Sequence, residues 1–295
     1  MNAGEARNKI ARAITFLCAM VGVLATVGIV VVLGKDSFGF FQRVPVGDFL
    51  FGTVWRPDAS VPMYGVLPLI CGTMLVVATS AFVSIPLGLL VGVYLAEYAR
   101  PKVAGVLKPA LELLAGIPSV VFGYFALYLV TPLIQKIIPT AAGSNALSAG
   151  IVVGLMTLPF VASLCEDAIT SVPKGLRESA FGLGSTKAEV VTKIVVPSAL
   201  SGVIASFILA TSRAVGEVMA VTIAAGSRPV LTANPTEEVQ TMTAYIVQVS
   251  RGEASRGSMQ YQTIFAVGLT LFAITFAMNI FARQLIRKYA RGSGS

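Results

Sequence analysis

Arg213 and Glu217 stand four residues apart inside a stretch from Ser198 to Ala225 that carries no other charge. On a helix that spacing puts both on one face, where they can pair with each other or with a neighbouring element. A charge near the centre of a bilayer costs about 2.5–3.5 kcal/mol on insertion scales, so this face must meet a polar cavity or a partner. A guanidinium offers planar, bidentate donors that match an oxyanion, and a nearby carboxylate would temper its field so that the anion is not trapped. The same two residues could equally serve as a structural ion pair that fixes helix packing, and the two roles are compatible.

Other chemistries are poorly supplied. The chain has no histidine, the commonest general base and metal ligand. Its three cysteines, Cys18, Cys71 and Cys165, lie far apart in apolar stretches, where they read as packing residues rather than a disulfide framework, a metal site or a thiol nucleophile. No phosphate-cradling G-x4-G-K-[ST] loop exists; the Gly34-Lys35 pair is followed by Asp36. Neither covalent catalysis nor ATP hydrolysis is expected of this chain, and no cofactor of its own.

The elements that position the pair are spans. Of 295 residues, 55% are hydrophobic and 12% charged, and the mean hydropathy is +0.81. Soluble chains carry roughly a quarter charged residues, so a soluble globule is excluded. Apolar intervals of roughly the 20 residues needed to cross hydrocarbon, charge-free except for Arg213 and Glu217 in the fifth, predict six helices: Ala13–Leu33, Val66–Ala96 with Pro86 inside, Leu113–Leu133, Leu147–Cys165, Ser198–Ala225 and Thr263–Ala282. Ala13–Leu33 is too long for a signal-peptide core and reads as an uncleaved anchor. Gly116 and Pro118 predict a break or a close helix contact at the start of the third span.

Six spans bring both termini to one side. Of the 22 Lys and Arg, 14 fall on that side, seven on the other, and Arg213 lies within the membrane. The bias makes both termini cytoplasmic and accounts for the net charge of +8 without nucleic acid, for which no basic run interleaved with aromatics exists. The expected organisation is a cytoplasmic N-terminus (1–12), a first transmembrane helix (13–33), an external loop (34–65), a core of five helices (66–285) and a cytoplasmic tail (286–295). Glu97 and Glu112 bracket Arg100, Lys102 and Lys108 in what reads as a solvated loop. Phe49, Phe51, Trp55 and Tyr64 suit an outer interfacial belt or a docking surface.

Between the fourth and fifth spans, residues 166–197 show two short helical patterns, Pro173–Phe181 and Ser185–Val195. Gly182 and Gly184 allow a sharp reversal between them, Ser185 is placed to cap the second helix, and Ala188, Val191 and Val195 share an apolar face. Such a helix-turn-helix can dock into a partner's groove or rest on the membrane surface.

Within this loop Glu178, Ser179, Ala180, Gly184, Ile194, Val196 and Pro197 reproduce the spacing E-A-A-x3-G-x9-I-x-L-P, with Ser179 for the first alanine and Val196 for the leucine. It resembles the EAA loop of the permease subunits of ATP-binding-cassette (ABC) importers. The stretch from Ser212 to Val221 is similar to R-A-x-G-E-[TV]-M-A-V of the phosphate-specific transport permeases, the PstC family. LPLICGTM (67–74), PLGLLVGVYLAEY (86–98) and LELLAGIPSVVFGY (111–124) extend that resemblance over nearly the whole chain.

The resemblance implies an all-α type I ABC importer permease fold in a bacterial inner membrane. It implies that Glu178, Ser179, Ala180, Gly184, Ile194 and Pro197 couple to an ATPase, and that phosphate crosses near Arg213 and Glu217. It also implies partners: a second, homologous (PstA-like) permease, a dimer of a PstB-like ATPase that binds ATP and magnesium, and an external PstS-like phosphate-binding protein. Competing readings are an ABC permease for molybdate or sulfate, a secondary transporter, for which no inverted repeat is visible, and an intramembrane enzyme, for which no nucleophile or metal constellation exists.

Overall fold

The computed structural model describes residues 3–252, 255 and 257–292 and is almost wholly helical. The expected tail therefore lies partly outside the described residues, as do the side chains of Arg287, Lys288 and Arg291.

Helix α1 runs Ala3–Phe41, well beyond both ends of the predicted anchor. A short helix α2 (Val46–Phe51) and a two-stranded hairpin, β1 (Trp55–Arg56) against β2 (Met63–Tyr64), follow on the outer side. Helix α3 (Leu67–Val93) contains Pro86 without interruption and ends in a π turn, Tyr94–Tyr98. Helix α4 (Pro101–Ala115) is amphipathic with no buried residue, so the expected solvated loop is a helix.

The third span starts after the predicted break. Gly116 caps α4, Pro118 precedes α5 (Ser119–Phe125), and a π turn (Ala126–Val130) leads into α6 (Thr131–Ile137). Helix α7 (Ala146–Thr170), capped by Asn145, is the most buried. Two cytoplasmic helices follow, α8 (Lys174–Gly182) and α9 (Lys187–Val190), then a π turn (Val191–Val195) and the single turn α10 (Val196–Ser198). After a 69° bend, α11 (Leu200–Val215) crosses; α12 (Met219–Ala224), α13 (Met242–Arg251) and α14 (Met259–Gly292) complete the chain.

Five helical stretches are long and apolar enough to cross a membrane, and the bent pair joined at Ala199 supplies a sixth. The predicted spans overlap these elements, but the third begins at Ser119 rather than Leu113, which lies in α4, and the fifth is interrupted at Gly216–Val218.

The core is built on α3 and α7, which approach so closely that glycine is required on both helices. A Cβ at Gly150 would lie 2.4 Å from Thr79 Cβ, and one at Gly154 2.8 Å from Val83 Cβ; at Gly88 it would meet Val161 at 2.6 Å and at Gly92 Cys165 at 2.7 Å. Small residues replace the hydrophobic drive that is missing between helices in lipid. In this pairing α3 and α7 run parallel, whereas α11 lies antiparallel along α7, with Gly202 beside Ala168 and Cys165 Sγ 3.1 Å from Ser206 Oγ.

Trp55 and Phe49 are not belt residues. Both are fully buried in an aromatic cluster with Phe40, Tyr64 and Tyr245, whose ring stands edge-on to Trp55 at 4.9 Å. Phe51, 77% exposed, stays outside it. The cluster closes the outer end where α1, the hairpin, α13 and α14 meet.

Candidate functional site

The structure separates Arg213 from Glu217. Helix α11 stops at Val215; the amide of Gly216 donates to Arg213 O and that of Glu217 to Ala214 O, a tightened last turn that ends the ladder. Glu217 therefore does not share a helix face with Arg213, contrary to the four-residue spacing, because the helix ends at Val215 between them. The Glu217 carboxylate instead accepts from Ala220 N at 3.3 Å, capping α12, and its carbonyl accepts from the buried hydroxyl of Thr243 at 2.8 Å. Among the described residues no carboxylate lies within salt-bridge distance of Arg213.

Arg213 lines a cavity of about 400 Å³ between α4, α7 and α11, together with Lys108, Glu112, Met156, Phe160, Glu166 and Asp167. The antiparallel register sets Arg213 opposite the middle of α7, near Pro159, while Glu166 and Asp167 mark its cytoplasmic end, about 10 Å lower at 1.5 Å per residue. Lys108 Nζ meets Glu166 at 2.6 Å; this hydrogen bond, then the attraction of the Glu166 charge, holds the ammonium pKa above its usual value. Arg213 is exposed in this single chain, and its guanidinium, without a carboxylate partner among the described residues, stands at the edge of a polar cavity where it can receive an anion.

The cytoplasmic loop has the expected helix-turn-helix form with three local corrections. Gly184 alone turns the chain, at φ +84°, while Gly182 remains within α8. Thr186, not Ser185, caps the second helix: its hydroxyl accepts from Glu189 N and the Glu189 carboxylate accepts from Thr186 N, a reciprocal capping box. The T-x-x-E spacing for it was present in the sequence. The third concerns the apolar face, which comprises Val190, Val191 and Val195 and leaves Ala188 exposed.

Within the motif, Ala180 is buried, Ile194 half-buried, and Glu178, Ser179, Gly184 and Pro197 exposed. Leu183 beside the turn is 88% exposed, and Leu176 and Phe181 also reach solvent, giving α8 an uncovered apolar rim. Arg177 and Glu97, whose pairing the sequence did not suggest, form an ion pair of 2.9 Å with side chains only 16% and 11% exposed. Glu97 is therefore part of a joint rather than of a solvated loop.

The sequence profile described as "Binding-protein-dependent transport system inner membrane component" matches residues 84–291, which take in the loop, the cavity and Arg213. The chain belongs to this family. It is 34% identical over 276 residues to the probable ABC transporter permease protein YqgH of Bacillus subtilis strain 168, spanning 93% of this chain and 89% of that one. The phosphate transport system permease protein PstC of Haemophilus influenzae is 29% identical, covering 95% and 93%. That of Xylella fastidiosa strain 9a5c is 32% identical over 266 residues, covering 84% and 81%.

Among solved structures, a chain of a bacterial alginate ABC transporter in complex with a periplasmic protein superposes with a TM-score of 0.69 at 15% identity, covering 98% of this permease and 97% of its own length. A chain of the inward-facing MetNI methionine ABC transporter gives 0.57 at 16% identity, covering 76% and 94%. These likenesses establish the type I ABC importer permease fold. Members of this family are membrane components of importers driven by separate ATPase subunits and fed by a binding protein, so the permease works as one part of a larger assembly.

Proposed function

We propose that this permease, paired with a homologous PstA-like subunit, forms the translocation pathway of an ATP-driven phosphate importer in a bacterial inner membrane, with both termini cytoplasmic. The observation that carries the reading is the unpaired Arg213 guanidinium facing the α4–α7–α11 cavity in a chain similar to phosphate permeases over most of its length. The planar donor fork suits a phosphate oxygen pair. Glu217, engaged at the start of α12, positions the helix break beside the guanidinium rather than neutralising it.

Residues 166–197 dock on a PstB-like ATPase dimer, which holds ATP and magnesium. Glu178 and Ser179 present the polar side and Leu183 the apolar tip, Ala180 and Ile194 seat the two helices on the core, Gly184 sets the turn, and Pro197 starts the bend into α11. A PstS-like binding protein delivers phosphate at the outer face. This chain performs no covalent step.

The test is ATP hydrolysis by the copurified assembly in lipid, with phosphate, sulfate or molybdate presented on their binding proteins. Stimulation by phosphate alone supports the reading. Stimulation by another oxyanion changes the cargo but keeps the architecture, and absence of an associated ATPase overturns it.

A further inference from the structure

Both halves of the cytoplasmic loop hold the same turn of the second span. The π turn Tyr94–Tyr98 closes α3 with the amide of Ala99 donating to Tyr94 O at 2.8 Å, one residue wider than an α turn. From α8, Arg177 reaches its penultimate residue: Nε and Nη2 lie 3.0 and 2.9 Å from Glu97 Oε1. From the start of α9, Lys187 places its ammonium 4.8 Å from the ring centroid of Tyr98, the last residue of the turn.

Arg177 does more than pair. Its Nη2 also donates to Ile169 O at 2.8 Å and its Nη1 to Val172 O, so one guanidinium gathers the end of α7, the chain after it, α8 and the π turn. Five donors on a rigid plane make such a junction possible, whereas an ammonium could not span it. Because α3 and α7 are interlocked through Gly88, Gly92, Gly150 and Gly154, a displacement of α8 delivered at Glu97 and Ile169 moves that pair as one body. The covalent route from the loop to α11 is softer, passing through the π turn Val191–Val195 and the 69° bend.

We propose that the π turn Tyr94–Tyr98 receives the motion of the coupling loop, with Arg177 and Glu97 as its positioning residues and Lys187–Tyr98 as a weaker second attachment. The proposal rests on the reading of residues 166–197 as the contact to the ATPase.

It is tested on the assembled transporter in proteoliposomes by the ratio of phosphate imported to ATP hydrolysed. Glu97→Gln and Arg177→Lys are expected to keep ATP hydrolysis and lower that ratio about tenfold, the scale of one charged hydrogen bond. Tyr98→Phe, which keeps the ring, is expected to retain the ratio, and Tyr98→Leu to lower it about two- to fivefold, as an exposed cation–π contact would. An unchanged ratio in assembled Glu97→Gln overturns the proposal.

Should these variants fail to assemble, a Glu97→Cys, Arg177→Cys pair in a background free of Cys18, Cys71 and Cys165 decides. Joined by a short thiol cross-linker it is expected to transport at the normal ratio, and unjoined at a reduced one. Transport blocked by the cross-link, or normal without it, overturns the proposal. Failure of the wild type to copurify with any ATPase would instead defeat the functional reading on which it rests.

Discussion

Arg213 and Glu217 lie on either side of a helix end: the first occupies the last turn of α11 beside a polar cavity, and the second caps α12 through the amide of Ala220. The arrangement leaves an exposed guanidinium beside the cavity with no carboxylate partner among the described residues, and Arg213 is therefore the group whose loss should be felt in transport before it is felt in folding.

Arg213→Gln is expected to lower phosphate uptake about 10- to 100-fold, the range for losing charged hydrogen bonds of about 1.5–3 kcal/mol. Because no described carboxylate depends on Arg213, detergent-solubilised assembly and melting temperature should be unchanged. A variant that fails to assemble would show the residue to be structural. Glu217→Gln, which keeps the acceptor for Ala220, should be milder.

Gly184 is the only described residue of the cytoplasmic loop with positive φ, at +84°, and it has open space around it. Gly184→Ala should cost about 1–2 kcal/mol of local backbone strain without any clash. Gly184→Pro cannot adopt the angle at all. ATP hydrolysis without matching uptake is the expected signature of the proline variant, and normal uptake by it would remove the turn from the coupling role.

The glycines between α3 and α7 should behave oppositely. Gly88→Leu places a branched side chain where a Cβ alone would stand 2.6 Å from Val161, so overpacking of about 1–3 kcal/mol or more is expected. Gly105→Ala on α4, with nothing within 4 Å, should be neutral or slightly stabilising. Thermal unfolding of the two purified variants separates close approach from a general effect of adding methyl groups.

The capping box fixes a pH dependence. The Glu189 carboxyl is lowered to about 2 by the backbone amide of Thr186 first, then its hydroxyl, then Lys193. A pKa lower in the folded loop than in the unfolded chain means that the cap contributes fully above the ordinary glutamate value of about 4.3 and fades as pH falls through 2. Wild type and Thr186→Ala should therefore differ in helix stability by an amount that stays constant from pH 8 to pH 5. Hydrogen exchange of α9 amides in the assembled transporter measures it, and a difference that shrinks between pH 8 and 6 would contradict the assignment.

Much of this was open to sequence reading because lipid imposes long apolar periods. The segments around Ile29, Val76 and Val153 could only be spans, and the break at Gly116–Pro118 was announced by its residues. Register was harder. The i,i+4 rule that joins Arg213 to Glu217 assumes an unbroken ladder, and nothing in the local pattern distinguishes Gly216, which lies just past the end of α11, from Gly182, which is the last helical residue of α8. Glu97 and Arg177 are 80 positions apart, and only the folded packing of α8 under α3 brings them together. Trp55 shows the same limit: an aromatic near a predicted membrane edge looks interfacial until Phe40 and Tyr245, from distant segments, enclose it.

The interlocked glycines of α3 and α7 also supply a measuring frame. Two helices whose backbones meet with no side chain between them cannot slide past each other without a collision, so the separation between labels placed on their outward faces should stay fixed through the transport cycle. A spin-label pair across α3 and α7 would serve as an internal standard, against which displacements of α11, α12 and the outer aromatic cluster could be read in the same sample.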